Sequence, residues 1–384
     1  MKIDHFGQVI KKYRKLRNMI QAQLAEQWGV SVAYVQQIET GKKHIADQQT
    51  LRLLSDLLEI PLWEFGLSDY DPFDPERLPG KGIRMYRETL EVIESLIQQT
   101  LGSRSVSPVP VVEQNAQRLR SIITYFQQSL PVPAQLEAKF VSLLIQQDNL
   151  SGLMHFEHDE HKQALILYEQ MYKRTKQLDD PAHIILALTK LSVNYMRFGR
   201  MPEAVEAGEV ARDLSFKASK QAAAYANAYL AHIYAADKDL ARFERAIGTA
   251  INLAEPIGNS YGDGTDFIHH KFSGILQLRS RGYLRLNQPN KTLGLHEELQ
   301  RQISHDANLW LDHRLHLYRG RAYLMLGDVE SAIGACRELF RDVKDWHSPH
   351  RLSRAYELVG QIEDAGYGDL RVVKDFAEEL YDKG

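Results

Sequence analysis

The sequence predicts an all-α chain in two parts, a five-helix bundle at the N-terminus and a long stack of helical hairpins behind it. Three observations carry that expectation. A helix, a glycine turn and a second helix with a basic exit occupy residues 20–43. Small residues recur at intervals of 38 to 51 between Gly152 and Gly360. Beyond residue 113 there is helical periodicity and no strand-like alternation.

In the N-terminal unit, Leu24, Ala25 and Trp28 follow the spacing of one buried helical face. Gly29 then ends the helix where the backbone must turn left-handed, and Ser31 caps the next helix through its hydroxyl. Val35 and Ile38 point that second helix inward, leaving Val32, Ala33, Tyr34, Gln36 and Gln37 for its outer side. Asp47 is placed to cap a helix over Gln48–Leu58, and a short last helix, Leu62–Phe65, starts after Pro61. A short polar helix presented in this way is the unit that enters a major groove.

Bulk properties narrow the function classes. The chain has 384 residues, 44% apolar and 25% charged, as an ordinary water-soluble globular protein has. Its one cysteine, Cys336, allows no internal disulfide and fits a reducing cytoplasm. No apolar run reaches membrane-spanning length, and Met1-Lys2-Ile3-Asp4 does not open a signal peptide. A net charge of −3 would argue against nucleic acid if it were evenly spread. It is uneven: residues 1–45 hold Lys2, Lys11, Lys12, Arg14, Lys15, Arg17, Lys42 and Lys43 against Asp4, Glu26 and Glu39. A basic head on an acidic body points to DNA binding confined to the head.

The residues Gln21, Leu24, Ala25, Gly29, Val30, Ser31, Ile38, Glu39, Gly41 and Lys42 resemble the helix-turn-helix of the phage-repressor-like (XRE) family. Ile20 departs from the pattern, which often has a capping Thr there. The resemblance covers residues 3–66 and implies roles for matching positions. Val32, Ala33, Gln36 and Gln37 would face base edges, with Ser31 and Tyr34 at the same helix start. Gln37 is the strongest candidate, since an amide pairs bidentately with adenine. Gln21 would bond a phosphate, and Lys42 and Lys43 would meet the backbone. Arg14 and Glu39 match a pair that ties the first helix to the end of the recognition helix.

The expected domains are 1–66 for this head, 67–112 for a linker and 113–384 for the repeats. The linker opens with the proline- and aspartate-rich stretch 68–82, continues as an amphipathic helix over 83–101, and breaks again at Gly102–Pro110, a segment expected to be mobile. In the repeats, Ser192, Tyr195 and Ala204 set a pattern that Gly320, Tyr323 and Ala332 repeat. Gly152 with Ala164 and Gly282 with Gly294 keep the small pair, Ala231 pairs with Phe243, and Gly360 with Val372 is a degenerate last copy. Small residues serve where two helices cross closely. The pattern resembles tetratricopeptide repeats with lengthened helices, which implies a right-handed superhelix with a concave groove. Pro256–Asp266 reads as a loop insertion.

Projecting from the small-residue register puts Tyr225, His232, Arg279, Tyr283, Arg314, Arg321, Arg354 and Gln361 on the groove wall, with Thr189, Val193 and Arg197 nearby. So many arginines suggest a ligand with carboxylates, such as a peptide clamped by its C-terminus. Asn194 and Asn227 would hydrogen-bond an extended peptide backbone. Pairing of these arginines with acids such as Glu357 and Asp364 is the competing reading. His155, His158 and His161 invite a zinc reading, but the stretch has no cysteine and no HExxH order. No metal or cofactor is expected. Gly80-Lys81-Gly82 lacks phosphate-loop spacing, and no acid–base pair suggests an enzyme.

A head of this kind fused to such an array resembles the peptide-responsive quorum-sensing regulators of Gram-positive bacteria and their phages (the Rgg, PlcR and PrgX, or RRNPP, group). The resemblance implies a short signalling peptide as ligand and a homodimer on an inverted repeat of double-stranded DNA. A regulator sensing a small molecule or nothing, and a scaffold holding a protein partner, remain the alternatives.

Overall fold

The computed structural model describes residues 6–45, 47–65, 67, 81–129, 132–215, 217–254, 268, 271–306, 308–344 and 347–381. The linker stretch 68–80 and the insertion Pro256–Asp266 lie outside the described residues. Every regular element among the described residues is helical. The chain divides into two units, one of Met1–Thr89 with Phe126–Leu136, the other of Leu90–Tyr125 with Glu137–Gly384.

The first unit contains α1 (Phe6–Leu16), α2 (Gln21–Trp28), α3 (Val32–Glu39), α4 (Gln48–Leu58) and a 3₁₀ turn at Leu62–Phe65. Gly29 ends α2 with φ +77°, a conformation glycine adopts without steric cost. At the α2 start Ile20 has no capping oxygen, but Gln23 Oε1 accepts its backbone N–H at 2.9 Å, supplying the reverse half of a capping box. The Ser31 hydroxyl accepts the Tyr34 N–H, and Asp47 accepts those of Gln49 and Thr50. Ile10, Leu24, Val35, Ile38, Leu54, Leu58 and Phe65 form one buried core. Farther along the chain but in the same unit, the Tyr86 and Phe126 rings meet edge to face at 5.6 Å.

The second unit is built on hairpins. It takes α5 (Lys81–Ser103) from Leu90 onward and α6 (Val109–Ser129) as far as Tyr125, then α7 (Glu137–Glu157) and α8 (His161–Leu178). There follow α9 (Pro181–Arg197) with α10 (Met201–Ser215), and α11 (Lys220–Ala236) with α12 (Leu240–Ala254). Next come α13 (Phe272–Arg285), α14 (Pro289–Gly294) and α15 (His296–His305). The array ends with α16 (Asp312–Met325) and α17 (Val329–Lys344), then α18 (Pro349–Ile362) and α19 (Arg371–Tyr381). Each hairpin packs on the next in chain order, making the repeat superhelix.

The small residues act where the helices cross. A Cβ on Gly152 would stand 2.5 Å from the Tyr168 ring, and one on Gly320 would stand 2.8 Å from Leu358. Like Gly320, Gly282 faces a neighbouring hairpin: its missing Cβ would stand 2.2 Å from the ring of Phe243 in the preceding one. Gly294 and Gly360 meet nothing within 4 Å, so those copies are open. The break expected at Gly102–Pro110 is shorter: α5 runs through Ser103 and α6 begins at Val109. It is also anchored rather than loose, since Trp310 N–H donates to the Ser105 carbonyl at 3.0 Å.

The end of α7 is tied to the start of α18, nearly two hundred residues later. Glu157 is fully buried there and accepts hydrogen bonds from Ser348 Oγ at 2.9 Å and Trp310 Nε1 at 3.3 Å. Arg104 and Arg351 add ionic contacts at 3.6 and 3.8 Å. Asp159 holds His350 Nδ1 at 2.6 Å and Ser353 Oγ at 2.9 Å. Burial alone would raise the Glu157 carboxyl, but Arg351 and Arg104 bring it below its ordinary value. Burial pushes His350 down to about 4, so it sits neutral against Asp159 at neutral pH.

Candidate functional site

In the head, the outer side of α3 is a continuous polar and small-residue stripe. Ser31, Val32, Ala33 and Gln36 are exposed, Val32 at 46%, while Gln37 and Tyr34 are half-buried. Tyr34 leans on Trp28 at 5.5 Å, and Lys43 lies 5.0 Å over its ring. Lys42 and Lys43 both donate their backbone N–H to the Gln37 carbonyl, which turns the exit toward the same side, and their ammonium groups are exposed.

Beneath that stripe Arg14 clamps Glu39 with two bonds, Nε to Oε1 at 2.5 Å and Nη2 to Oε2 at 2.9 Å. Arg14 also donates to the Met19 carbonyl at 2.6 Å, and Gln21 Nε2 donates to Glu39 at 2.8 Å. Burial raises the Glu39 carboxyl, and the bonds from Arg14 and Gln21 more than reverse it. Gln21 therefore has a bond to Glu39, with its remaining amide hydrogen left for another acceptor.

The second unit holds a cavity of about 180 Å³ built from the inner helices. Lys190, Asn194 and Arg197 of α9 line it at i, i+4 and i+7. Tyr225, Tyr229 and His232 of α11 repeat that spacing, as do Gly274, Leu278 and Arg281 of α13. These are single helical stripes, each facing one way. Asn149, Phe156, Arg104, Trp310, Gln277 and Arg314 complete the wall. Its polar atoms are incompletely satisfied. Asn149 Oδ1, Asn194 Oδ1 and both ring nitrogens of His232 are buried without a hydrogen-bond partner. Burial pushes Lys190 down to about 7, with Arg104 adding to the shift. Burial, then the arginines around it, holds His232 well below the usual imidazole range.

A second cavity, of about 520 Å³, shares Arg197 and Arg281 with the first. Arg285, Arg321, Arg354, His161, Tyr318, Glu357 and Gln361 are also on its wall. Glu357 receives Arg321 at 2.9 Å and also pairs with Arg354. Among the described residues no carboxylate lies within salt-bridge distance of Arg197, Arg281, Arg285 or Arg314. Arg197 instead stacks over Phe156 at 4.4 Å, and Arg314 over Trp310 at 4.1 Å.

The expected groove residues divide accordingly. Asn194, Arg197, Tyr225, His232, Arg314 and Val193 line the first cavity, and Arg197, Arg321, Arg354 and Gln361 the second. Asn227, Arg279 and Tyr283 line neither. Asn227 donates to the Ala223 carbonyl of its own helix. Arg279 donates to Tyr283, whose hydroxyl donates to Glu244 of α12 at 3.2 Å. Two residues along a helix turn the side chain by about 200°, so Asn227 cannot share a wall with Tyr225, nor Arg279 with Arg281. Arg281 and Lys190 were missed, although the helical stripes through Gln277 and Asn194 would have found them; Arg285 and Asn149 were missed as well.

Asp159, His161 and His350 bring three ligand-type atoms within 4.8 Å of one another. The field there disfavours a cation, because Arg197 Nη1 is 3.3 Å from His161 Nε2 and Arg354 depresses the same ring after burial and Arg197.

The head and its exposed recognition helix define a DNA-binding regulator. Its residues 10–65 match the family model described as helix-turn-helix, of the XRE type. No curated protein matches the chain. Three solved structures are similar at low identity. PlcR of Bacillus thuringiensis, in complex with the peptide PapR7 and DNA, is 13% identical over 93% of this chain and 99% of that one, with a TM-score of 0.43. Apo ComR, the competence regulator of Streptococcus vestibularis, is 12% identical over 95% and 99%, with a TM-score of 0.41. BtubC (BKLC) of P. vanneervenii is 17% identical over 66% and 91%, with a TM-score of 0.40. At these scores the functional reading rests on the residues themselves. No helix among the described residues is long and apolar enough to cross a membrane.

Proposed function

We propose that this chain is a cytoplasmic, sequence-specific transcriptional regulator whose repeat unit binds a short signalling peptide in its inner cavity and thereby alters operator binding. The observation that carries the reading is the cavity wall. Asn149 and Asn194 are wall residues whose buried carbonyl oxygens have no hydrogen-bond partner, beside a space also lined by Tyr225, Tyr229 and Trp310. Side-chain amides on an inner wall suit an extended peptide backbone, and aromatic walls suit its apolar side chains. In the head, Val32, Ala33, Gln36 and Gln37 read base edges, Gln21 meets a phosphate, and Lys42 and Lys43 supply the electrostatic part. A homodimer on an inverted repeat follows from the way such heads pair half-sites. Ligand acts by preferring one arrangement of the body over another, which shifts the population competent for the operator.

The test is selection of random duplex DNA by the purified protein, followed by binding to the enriched sequence over a salt series. Enrichment of an inverted repeat with steep salt dependence is the expected result. Gln37→Ala should then lose about 1–3 kcal/mol of discrimination between that site and random duplex, with folding unchanged. Discrimination equal to wild type would remove Gln37 from the reading face.

A further inference from the structure

The two cavities differ in chemistry, and the difference says more about the ligand than either does alone. The smaller carries its cations, Arg104, Lys190, Lys271 and Arg314 among them, between rings and amides, whereas in the larger guanidinium groups dominate the wall. Five arginines, Arg197, Arg281, Arg285, Arg321 and Arg354, face one carboxylate, Glu357, in the larger one. Glu357 is already shared between Arg321 and Arg354. Among the described residues the Arg285 guanidinium donates to the Met196 sulfur, at 3.1 Å. The Nε atoms of Arg197 and Arg321 are buried without a hydrogen-bond partner.

Such a set is costly as it stands. Guanidinium groups remain charged at any physiological pH, and these five, each half-buried, lose part of their hydration while repelling one another. Burial and the neighbouring arginines Arg281, Arg354, Arg314 and Arg285 push Arg197 down to about 9. Arg285 falls to about 10, through burial first and Arg281 next. His232, only 1% exposed and without a partner on either nitrogen, lies beside the shared arginines in the smaller cavity. Neutral imidazole there adds no counter-charge. A single carboxylate would offset one arginine and leave the rest repelling. Guanidinium forks match carboxylate and phosphate oxygens bidentately, which a solvated lysine patch does not.

We propose that the chamber bounded by Arg197, Arg281, Arg285, Arg321 and Arg354 binds a compact group carrying at least two negative charges. Arg197 and Arg281 grip it from the boundary, so the rest of the ligand extends into the aromatic cavity. The inference rests on the reading of the body as a ligand site and sharpens it. For a peptide, the group is a C-terminal Asp or Glu, which presents its α-carboxylate and side-chain carboxylate together. For a small molecule, it is a phosphate or a di- or tricarboxylate. The volume of about 520 Å³ is in the range of small-ligand sites and has room for either.

The experiment measures thermal unfolding and calorimetric binding of the full chain at constant ionic strength. The probes are citrate, pyrophosphate, and hexapeptides ending in Leu-Asp with a free carboxylate or in Leu-Asn amide. Arg197→Met, Arg281→Met and Arg281→Gln are compared with Arg279→Met, which removes the same charge from the neighbouring face. At least one dianionic probe should stabilise the wild type, with at least tenfold weaker binding in the Arg197 and Arg281 variants and none of that loss in Arg279→Met. Binding of the Leu-Asp peptide but not of its amide assigns the group to a peptide. Binding of citrate or pyrophosphate alone supports the anion chamber while removing the peptide reading. Peptides that bind regardless of terminal charge, unaffected by Arg281→Met, would overturn the chamber and leave the peptide reading standing. Equal losses in Arg279→Met and Arg281→Met, or no binding by any probe, would also overturn it.

Discussion

The head and the body treat buried charge in opposite ways. In the head, Arg14 and Glu39 satisfy each other through two bonds, with Met19 and Gln21 taking up further capacity. In the body, Arg197, Arg281, Arg285 and Arg314 gather around shared cavities with no carboxylate in reach among the described residues. The first arrangement is complete without a partner, as a rigid platform for an exposed reading helix should be. The second is incomplete until something enters. A polar group that is satisfied internally specifies a fold, whereas one left open inside a cavity specifies a ligand.

Removing one partner of the complete pair has the largest effect. Arg14→Met leaves Glu39 buried with only Gln21, and a loss of about 3–5 kcal/mol in the denaturant unfolding of the head is expected. Arg14→Met with Glu39→Leu should recover most of that loss, since an apolar pair of similar volume replaces the ions. If the double variant were no better than the single, the clamp would owe its worth to something other than charge satisfaction.

Packing within the body comes next. Gly282→Ala would place a methyl 2.2 Å from the Phe243 ring, and overpacking of that kind costs about 1–3 kcal/mol. Gly360→Ala has open space around it and should be neutral or stabilising by up to about 1 kcal/mol through helix propensity. Equal thermal midpoints for the two variants would contradict the assigned crossings.

The open charges should show in the pH dependence of binding. With Lys190 at about 7 in the empty cavity, an anionic ligand favours the protonated amine and raises its pKa. Affinity is therefore greatest below about pH 7 and declines as pH rises toward the bound pKa. Calorimetry with a carboxylate probe from about pH 6 to pH 9 should show that decline, and Lys190→Met should flatten it.

Much of the head was legible because its information is local. Gly29, Ser31 and Asp47 each fix a turn or cap through their own chemistry, and the alternation of Val35 and Ile38 with Gln36 and Gln37 assigns inside and outside within two turns. The body was legible as repeats but not as a wall. Its register was anchored on Gly282 as though that glycine closed its own hairpin, whereas it faces Phe243 of the preceding one. On α13 the projection named Arg279, whereas the wall residue is Arg281, two positions and about 200° round the helix. The tie between Glu157 and Ser348 had no local signal at all, because it joins residues 191 apart.

The most direct test of the contrast is the thermal midpoint of Arg197→Met beside that of Arg14→Met, in buffer free of polyvalent anions. The account predicts opposite signs. Arg14→Met falls, because it strands a satisfied partner. Arg197→Met rises, because it removes a half-buried cation that partial desolvation and its neighbouring arginines have pushed down to about 9. If Arg197→Met instead fell as Arg14→Met does, the groove arginines would already be satisfied within the fold, and the cavities would no longer point to an anionic ligand.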